Sequence, residues 1–188
     1  MNNSMSESRN LSPAIVMNIL GLFGICVILI VAFYYQLGRF ELPCPLCLLQ
    51  RVGIIMIGFG FLFNIYFGVK NTHYSFSLLG CIVTGFVAMR QVSLHILPGD
   101  TGYGSTFFGL HFYTWAAVLS IITIIAIAII MPLKAGNDNA AKNSPHILGK
   151  LAMGLFAILI AANLVSTVLE CGSGQCDDNP TFYQLLKQ

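Results

Sequence analysis

The residues best suited to chemistry in this chain are two close pairs of cysteines. Cys44 and Cys47 stand in "ELPCPLCLLQR", residues 41–51, where a Cys-Pro-Leu-Cys motif is followed one helical turn later by Arg51. Cys171 and Cys176 flank "GSGQ" near the C-terminus. Thiolates are the nucleophiles of disulfide exchange and also ligands for soft metals, so paired cysteines point to redox chemistry, a structural staple or a metal site.

Local physics favours redox chemistry at the first pair. Pro45 suits the first turn of a helix, which predicts Cys44 near an N-cap and Cys47 inside the opening turn. Unsatisfied N–H groups and the positive end of the helix dipole stabilise a thiolate there. Arg51 falls one turn past Cys47 and two past Cys44, which predicts that all three share one stripe of the helix. A cation inside an apolar helix costs on the order of 3 kcal/mol at the bilayer centre and less near the interface, so its presence points to function. For an isolated arginine, snorkelling to headgroups is the competing explanation; the dithiol above Arg51 favours the functional one.

The second pair has a different character. Gly172 and Gly174 let its spacer fold back, so the two sulfurs can reach bonding geometry. Six extended residues reach about 20 Å, enough for the tail to carry a sulfur to Cys44. A zinc site built from both pairs and a purely structural tail disulfide are the other readings the residues leave open.

The elements that must position these residues are membrane helices. Of the 188 residues, 56% are hydrophobic and 9% charged, and the mean hydropathy is +0.80. Five apolar runs, at about residues 13–36, 46–68, 74–95, 110–131 and 148–169, are each long enough to cross a hydrocarbon core, which takes roughly 20 residues. The first is too long for a signal-peptide core and lacks a small-residue cleavage site, so it reads as a retained helix. The expectation is an all-α membrane protein, a four-helix transmembrane bundle plus a fifth transmembrane helix, forming a single integral membrane domain over residues 1–188 with a tail at 170–188. The polar segment after the fourth run reads as a loop.

Alternating helices put both cysteine pairs on one side. Arg9, Lys70, Lys134, Lys142 and Lys150 fall on the opposite side, against Arg39 and Lys187 on the cysteine side. By the positive-inside rule the N-terminus is cytoplasmic and the C-terminus external, in an oxidising compartment. The net charge of +2, without basic clusters, excludes a nucleic-acid surface.

Other residues have blander readings. Cys26 and Cys81 read as packing residues within helices. Arg90 and His95 read as interface anchors that can also support a site, and His111, Tyr113 and Trp115 as an aromatic belt. Gly58, Gly60, Ala161 and Ala162 suit close helix approach. Phe182, Leu185 and Leu186 suit a short helix resting on the membrane surface.

Three stretches, "LPCPLCLLQR", "AMRQVSLHILPG" and "GLHFYTW", resemble the bacterial disulfide bond formation protein B family, DsbB, over residues 13–132. The resemblance implies a thiol oxidase of the bacterial inner membrane that draws electrons from a DsbA-like periplasmic oxidase with a thioredoxin fold. It implies that Cys44 and Cys47 pass them to a bound quinone, ubiquinone or menaquinone, and that Arg51 lies beside the quinone ring. A guanidinium there can hydrogen-bond a carbonyl and stabilise developing negative charge.

The chain also departs from the family pattern, in which a second cysteine pair sits between the third and fourth helices. Residues 96–109 hold no cysteine, and Cys171 with Cys176 is the expected substitute as the partner-facing pair. The rival classes are a thiol:quinone oxidoreductase of the vitamin K epoxide reductase type and a non-enzymatic membrane protein with structural disulfides.

Overall fold

The computed structural model describes residues 12–133 and 146–186. Helix α1 spans Pro13–Phe33 and runs on into a π-helical turn, Tyr34–Gly38; α2 spans Pro45–Phe67, α3 Asn71–Leu94, α4 Phe112–Ile130 and α5 Ile147–Cys171. Between α3 and α4 lies a small antiparallel hairpin of β1, Thr106–Phe107, and β2, Leu110–His111. The five helices are all long and apolar enough to cross a membrane. The expected all-α architecture of four helices plus a fifth is therefore the one observed. The loop over 134–145 lies outside the described residues, as do Arg9, Lys134, Lys142 and Lys187 from the orientation argument.

Local signals explain the helix starts. Ser12 caps α1 by accepting the Ile15 N–H, and Pro13 occupies the first turn. Cys44 caps α2 with extended backbone, followed by Pro45. Helix α4 begins two residues later than its hydropathy suggests because Leu110 and His111 are drawn into the hairpin. The hairpin turn holds Phe108 and Gly109 at φ of 50° and 78°, the left-handed pair a two-residue hairpin needs.

Apolar side chains such as Leu22, Ile57 and Phe156 fill the interior, but apolar side chains also cover the outside. Large apolar side chains such as Phe86, Ile121 and Leu164 face outward, while Asn18, Gln36, Gln50, Asn64, Gln91 and Glu170 are buried. With no water to drive apolar helices together, close packing and interhelical hydrogen bonds hold the bundle. Helix α2 packs most extensively against α3, and α1 packs on α2 and α5. The α2–α3 approach depends on glycine: a Cβ at Gly80 would sit 2.6 Å from the Ile57 nitrogen and 2.8 Å from the Gly53 oxygen. Gly58 and Gly60 also lie in tight contacts, whereas Ala161 faces outward.

The two ends of the bundle differ. At the end holding the α2–α3 turn, Asn18 donates to Ala14 O and Tyr74 Oη, both at 2.7 Å, and accepts from Asn64 Nδ2 at 2.9 Å. Asn64 Oδ1 in turn accepts the Lys70 N–H at 3.0 Å and meets His73 Nδ1 at 3.1 Å. At the opposite end, α1 and α4 barely touch, and a cavity of about 530 Å³ opens between them.

Candidate functional site

Both cysteine pairs sit at that cavity end, each closed as a disulfide. The Cα atoms are 5.0 Å apart in Cys44–Cys47 and 4.4 Å apart in Cys171–Cys176. Cys44 is buried at 5% exposure. Its Sγ accepts the Cys47 backbone N–H at 3.2 Å, as its predicted place at the helix cap requires. One expectation needs correcting. Cys47 and Arg51 share the cavity wall, but Cys44 does not line it. As the residue before the helix, Cys44 is free of the helical stripe and turns toward α3, where Gln91 Nε2 donates to its Sγ at 3.3 Å.

The cavity is walled by Val31 and Ala32 of α1, Leu42 and Pro43 of the connecting segment, Cys47, Gln50 and Arg51 of α2, and Phe112, Trp115 and Leu119 of α4. Tyr35, also on the wall, packs edge-on against Phe112 with ring centroids 4.5 Å apart. The α3–α4 loop covers this end. Tyr103 donates to Leu42 O at 2.7 Å, and Glu41 accepts from both the backbone N–H and the hydroxyl of Ser105. Burial, then the neighbouring carboxylates of Glu170 and Glu41, push the Tyr103 phenol above its ordinary pKa, so it stays a neutral donor.

Arg51 is held from behind. Its Nη1 donates to Gln36 Oε1 at 2.6 Å and its Nη2 to Ala32 O at 3.3 Å, while the guanidinium lies 5.5 Å from the Phe33 ring centroid. Gln36 is fixed by two further contacts from its Nε2: Ser166 Oγ of α5 at 2.6 Å and Tyr183 Oη of the tail at 3.1 Å. The fifth helix and the tail therefore both meet the side chain that holds Arg51. One turn beyond Ser166, Glu170 is 2% exposed; neither carboxylate oxygen has a hydrogen-bond partner among the described residues, and the group interacts electrostatically with Arg51.

The tail pair has a looser setting. Cys171 is the last residue of α5 and is 5% exposed, whereas Cys176 is half-buried in a turn with no regular structure. Gly172 follows the helix at φ 63°, a conformation that suits glycine. Phe182, Leu185 and Leu186 are exposed around a single 3₁₀ turn, Gln184–Leu186.

The remaining candidates sort themselves by position. His95 pairs with Asp100 at 3.1 Å, and the Gly102 N–H followed by His95 holds the Asp100 carboxyl below its ordinary pKa. Arg90 is exposed. Tyr113 and Trp115 line the cavity, His111 stacks on Tyr113 at 5.1 Å, and Trp115 donates to Phe107 O at 2.8 Å. These aromatics therefore build the site wall as well as any belt. Cys26 and Cys81 are buried and free, consistent with packing. The two cysteine pairs form separate disulfides and do not join in one four-sulfur cluster.

Reasoning from sequence missed Gln36, Gln50, Gln91, Ser166, Glu170 and Tyr183. Glu170 carried a usable signal, because an ionisable residue at the end of an apolar run is a functional hint. Ending the fifth helix at 169 assigned it to the tail, whereas α5 continues through Cys171.

Comparison with known proteins matches residues 15–103 to the family described as disulfide bond formation protein DsbB. That is narrower than the 13–132 suggested by the motifs. A protein of Hahella chejuensis named disulfide bond formation protein B is 37% identical over 73 residues, 37% of this chain and 44% of that protein. One of the same name from Nitrosococcus oceani is 36% identical over 85 residues, 43% of this chain and 50% of that protein. The matches thus span half or less of these relatives. No solved structure matches the chain. The family segment contains Cys44, Cys47, Arg51 and Gln91; Cys171 and Cys176 lie beyond it.

Proposed function

We propose that this chain, which belongs to the disulfide bond formation protein DsbB family through its residues 15–103, is a quinone-dependent thiol oxidase. It would reoxidise a DsbA-like thioredoxin-fold protein in the periplasm and pass the electrons to membrane quinone. The observation that carries this reading is the presence of Cys47 and Arg51 on the wall of one apolar cavity.

The cavity fits the group the reading requires. Its wall is aromatic and aliphatic, as a quinone ring and its apolar tail need, with few polar groups to fix orientation. Arg51 has five N–H donors, of which two are engaged by Gln36 and Ala32. Others remain for a carbonyl oxygen. When bound, a quinone supplies a two-electron, two-proton acceptor. Cys47 would be the thiolate donor to it, Arg51 would stabilise negative charge developing on its oxygen, and the apolar wall would exclude water.

The tail pair supplies the other half of the route. An incoming partner thiolate attacks the Cys171–Cys176 disulfide, and a freed tail sulfur then exchanges with Cys44–Cys47. Each exchange breaks one S–S bond and forms another, so electrons move inward without net consumption of cysteine. Cys176 fits the approach from water because it is the less buried partner on a glycine-flanked turn. The setting proposed is the bacterial inner membrane, with the N-terminus cytoplasmic and both cysteine pairs periplasmic.

The test is a quinone-reduction assay with a reduced thioredoxin-fold donor, comparing the wild type with Cys44→Ala and Cys176→Ala. Cys44→Ala abolishes turnover with every donor. Cys176→Ala abolishes it with the protein donor but not with dithiothreitol. A wild type that reduces no quinone with either donor rejects the reading.

A further inference from the structure

We propose that Gln91 is a catalytic residue of the dithiol: its amide N–H holds the Cys44 sulfur as a thiolate whenever the Cys44–Cys47 bond is open. This deepens the quinone-linked reading and rests on it for the destination of the electrons. The contact between Gln91 and sulfur stands without it.

The geometry is specific. Gln91 is 1% exposed, on α3 where that helix packs closely against α2. Its Nε2 lies 3.3 Å from Cys44 Sγ and 3.6 Å from Cys47 Sγ. Its Oε1 accepts Gln50 Nε2 at 2.7 Å. With that bond in place the Gln91 amide turns its oxygen to Gln50 and its nitrogen to the sulfurs. Turned over, Gln91 would face Gln50 with donor against donor and present an oxygen to the sulfurs. Gln50 is buried on α2, three residues past Cys47.

Two N–H groups therefore converge on Cys44 Sγ, one from Gln91 and one from the Cys47 backbone at 3.2 Å. A disulfide sulfur is a weak acceptor and gains little from them. A thiolate gains much more, because hydrogen bonds to an ionised acceptor are roughly twice as strong as neutral ones. The arrangement thus favours the open, charged state over the closed one.

This assigns complementary tasks to the two sulfurs. Cys47 lines the cavity and gives up electrons there; Cys44, off the wall, supplies the lone pair that forms the S–S bond. Closure would convert the Cys44 and Cys47 thiolates into one disulfide and pass two electrons to a quinone, which would become a quinol by taking up the two protons the thiols shed on ionising. Cys44 performs its part as a thiolate, and Gln91 keeps it in that form.

The experiment needs no quinone. Full-length protein in detergent, reduced with dithiothreitol, is labelled with iodoacetamide over a range of pH, and labelling at Cys44 is followed by peptide mass spectrometry. Gln91→Met, which has no donor, slows Cys44 labelling near neutral pH about tenfold and moves its pH profile upward. Gln91→Glu keeps an oxygen for Gln50 but presents a carboxylate to the sulfur, and slows labelling further. Wild-type labelling rates in both folded variants would overturn the proposal. If either variant loses its helical circular dichroism, Gln50→Met decides instead: it leaves Gln91 in place but free to turn, and must slow labelling a few-fold. Failure of the quinone reading would appear separately, as a wild type unable to reduce quinone, and would leave the labelling series unchanged.

Discussion

The two ends of this bundle bury similar side chains to opposite effect. At the α2–α3 turn, Asn18, Asn64 and Tyr74 are all 0% exposed, and both asparagine amides are hydrogen-bonded through nitrogen and oxygen. At the other end, Gln36, Gln50 and Gln91 also form amide contacts, but theirs lead to a guanidinium, a dithiol and a cavity. Glu170 lies beside them with no hydrogen bond among the described residues. A closed polar knot locks helices together. An unfinished one leaves donors for a visitor, and it is the second kind that marks where chemistry occurs.

Four substitutions test this contrast. Cys47→Ala should reduce quinone reduction to background with any donor, since it removes the sulfur on the cavity wall; surviving turnover would shift the reaction away from the cavity. Arg51→Met should lower kcat/KM for quinone roughly 10²-fold, the typical loss when a donor to a developing oxyanion is deleted. If only stability changed, Arg51 would be a structural cation. Tyr183→Phe removes one hydrogen bond to Gln36, worth about 1 kcal/mol, and should lower quinone reduction by about fivefold. An unaffected rate would separate the tail from the cavity. Asn64→Leu belongs to the closed end. It leaves the Asn18 oxygen and the Lys70 N–H unpaired, at about 1–3 kcal/mol each, so it should lower the melting temperature while kinetic constants stay within about twofold. Kinetic loss there comparable to that of Arg51→Met would erase the distinction between the ends.

How far the sequence alone reaches follows from where information is concentrated. Cys44, Pro45, Cys47 and Arg51 announce themselves because they are uncommon in an apolar helix and their spacing has a helical meaning. The five spans are legible because each is a sustained apolar run. Gln91, Gln36 and Ser166 are not, since a single polar residue in such a run does not name its partner on another helix. The turn of Cys44 toward α3 was invisible for a related reason: stripe arguments hold inside a helix and fail at the cap. The hairpin at 106–111 was hidden too, because its turn uses Phe108-Gly109 in place of the usual asparagine or aspartate before glycine.

The π-helical turn at Tyr34–Gly38 amounts to one surplus residue wound into the end of α1. It is there that the chain presents Gln36 to Arg51, Ser166 and Tyr183 at once. Deleting a single residue from this turn ahead of Gln36 would place Gln36 one position earlier on the helix, turned by up to about 100° around its axis. The guanidinium would then lose its principal oxygen while every atom of the dithiol remained. A frame of one residue, six positions before Cys44 at its nearest, thus sets whether the charge behind the cavity is aimed or adrift.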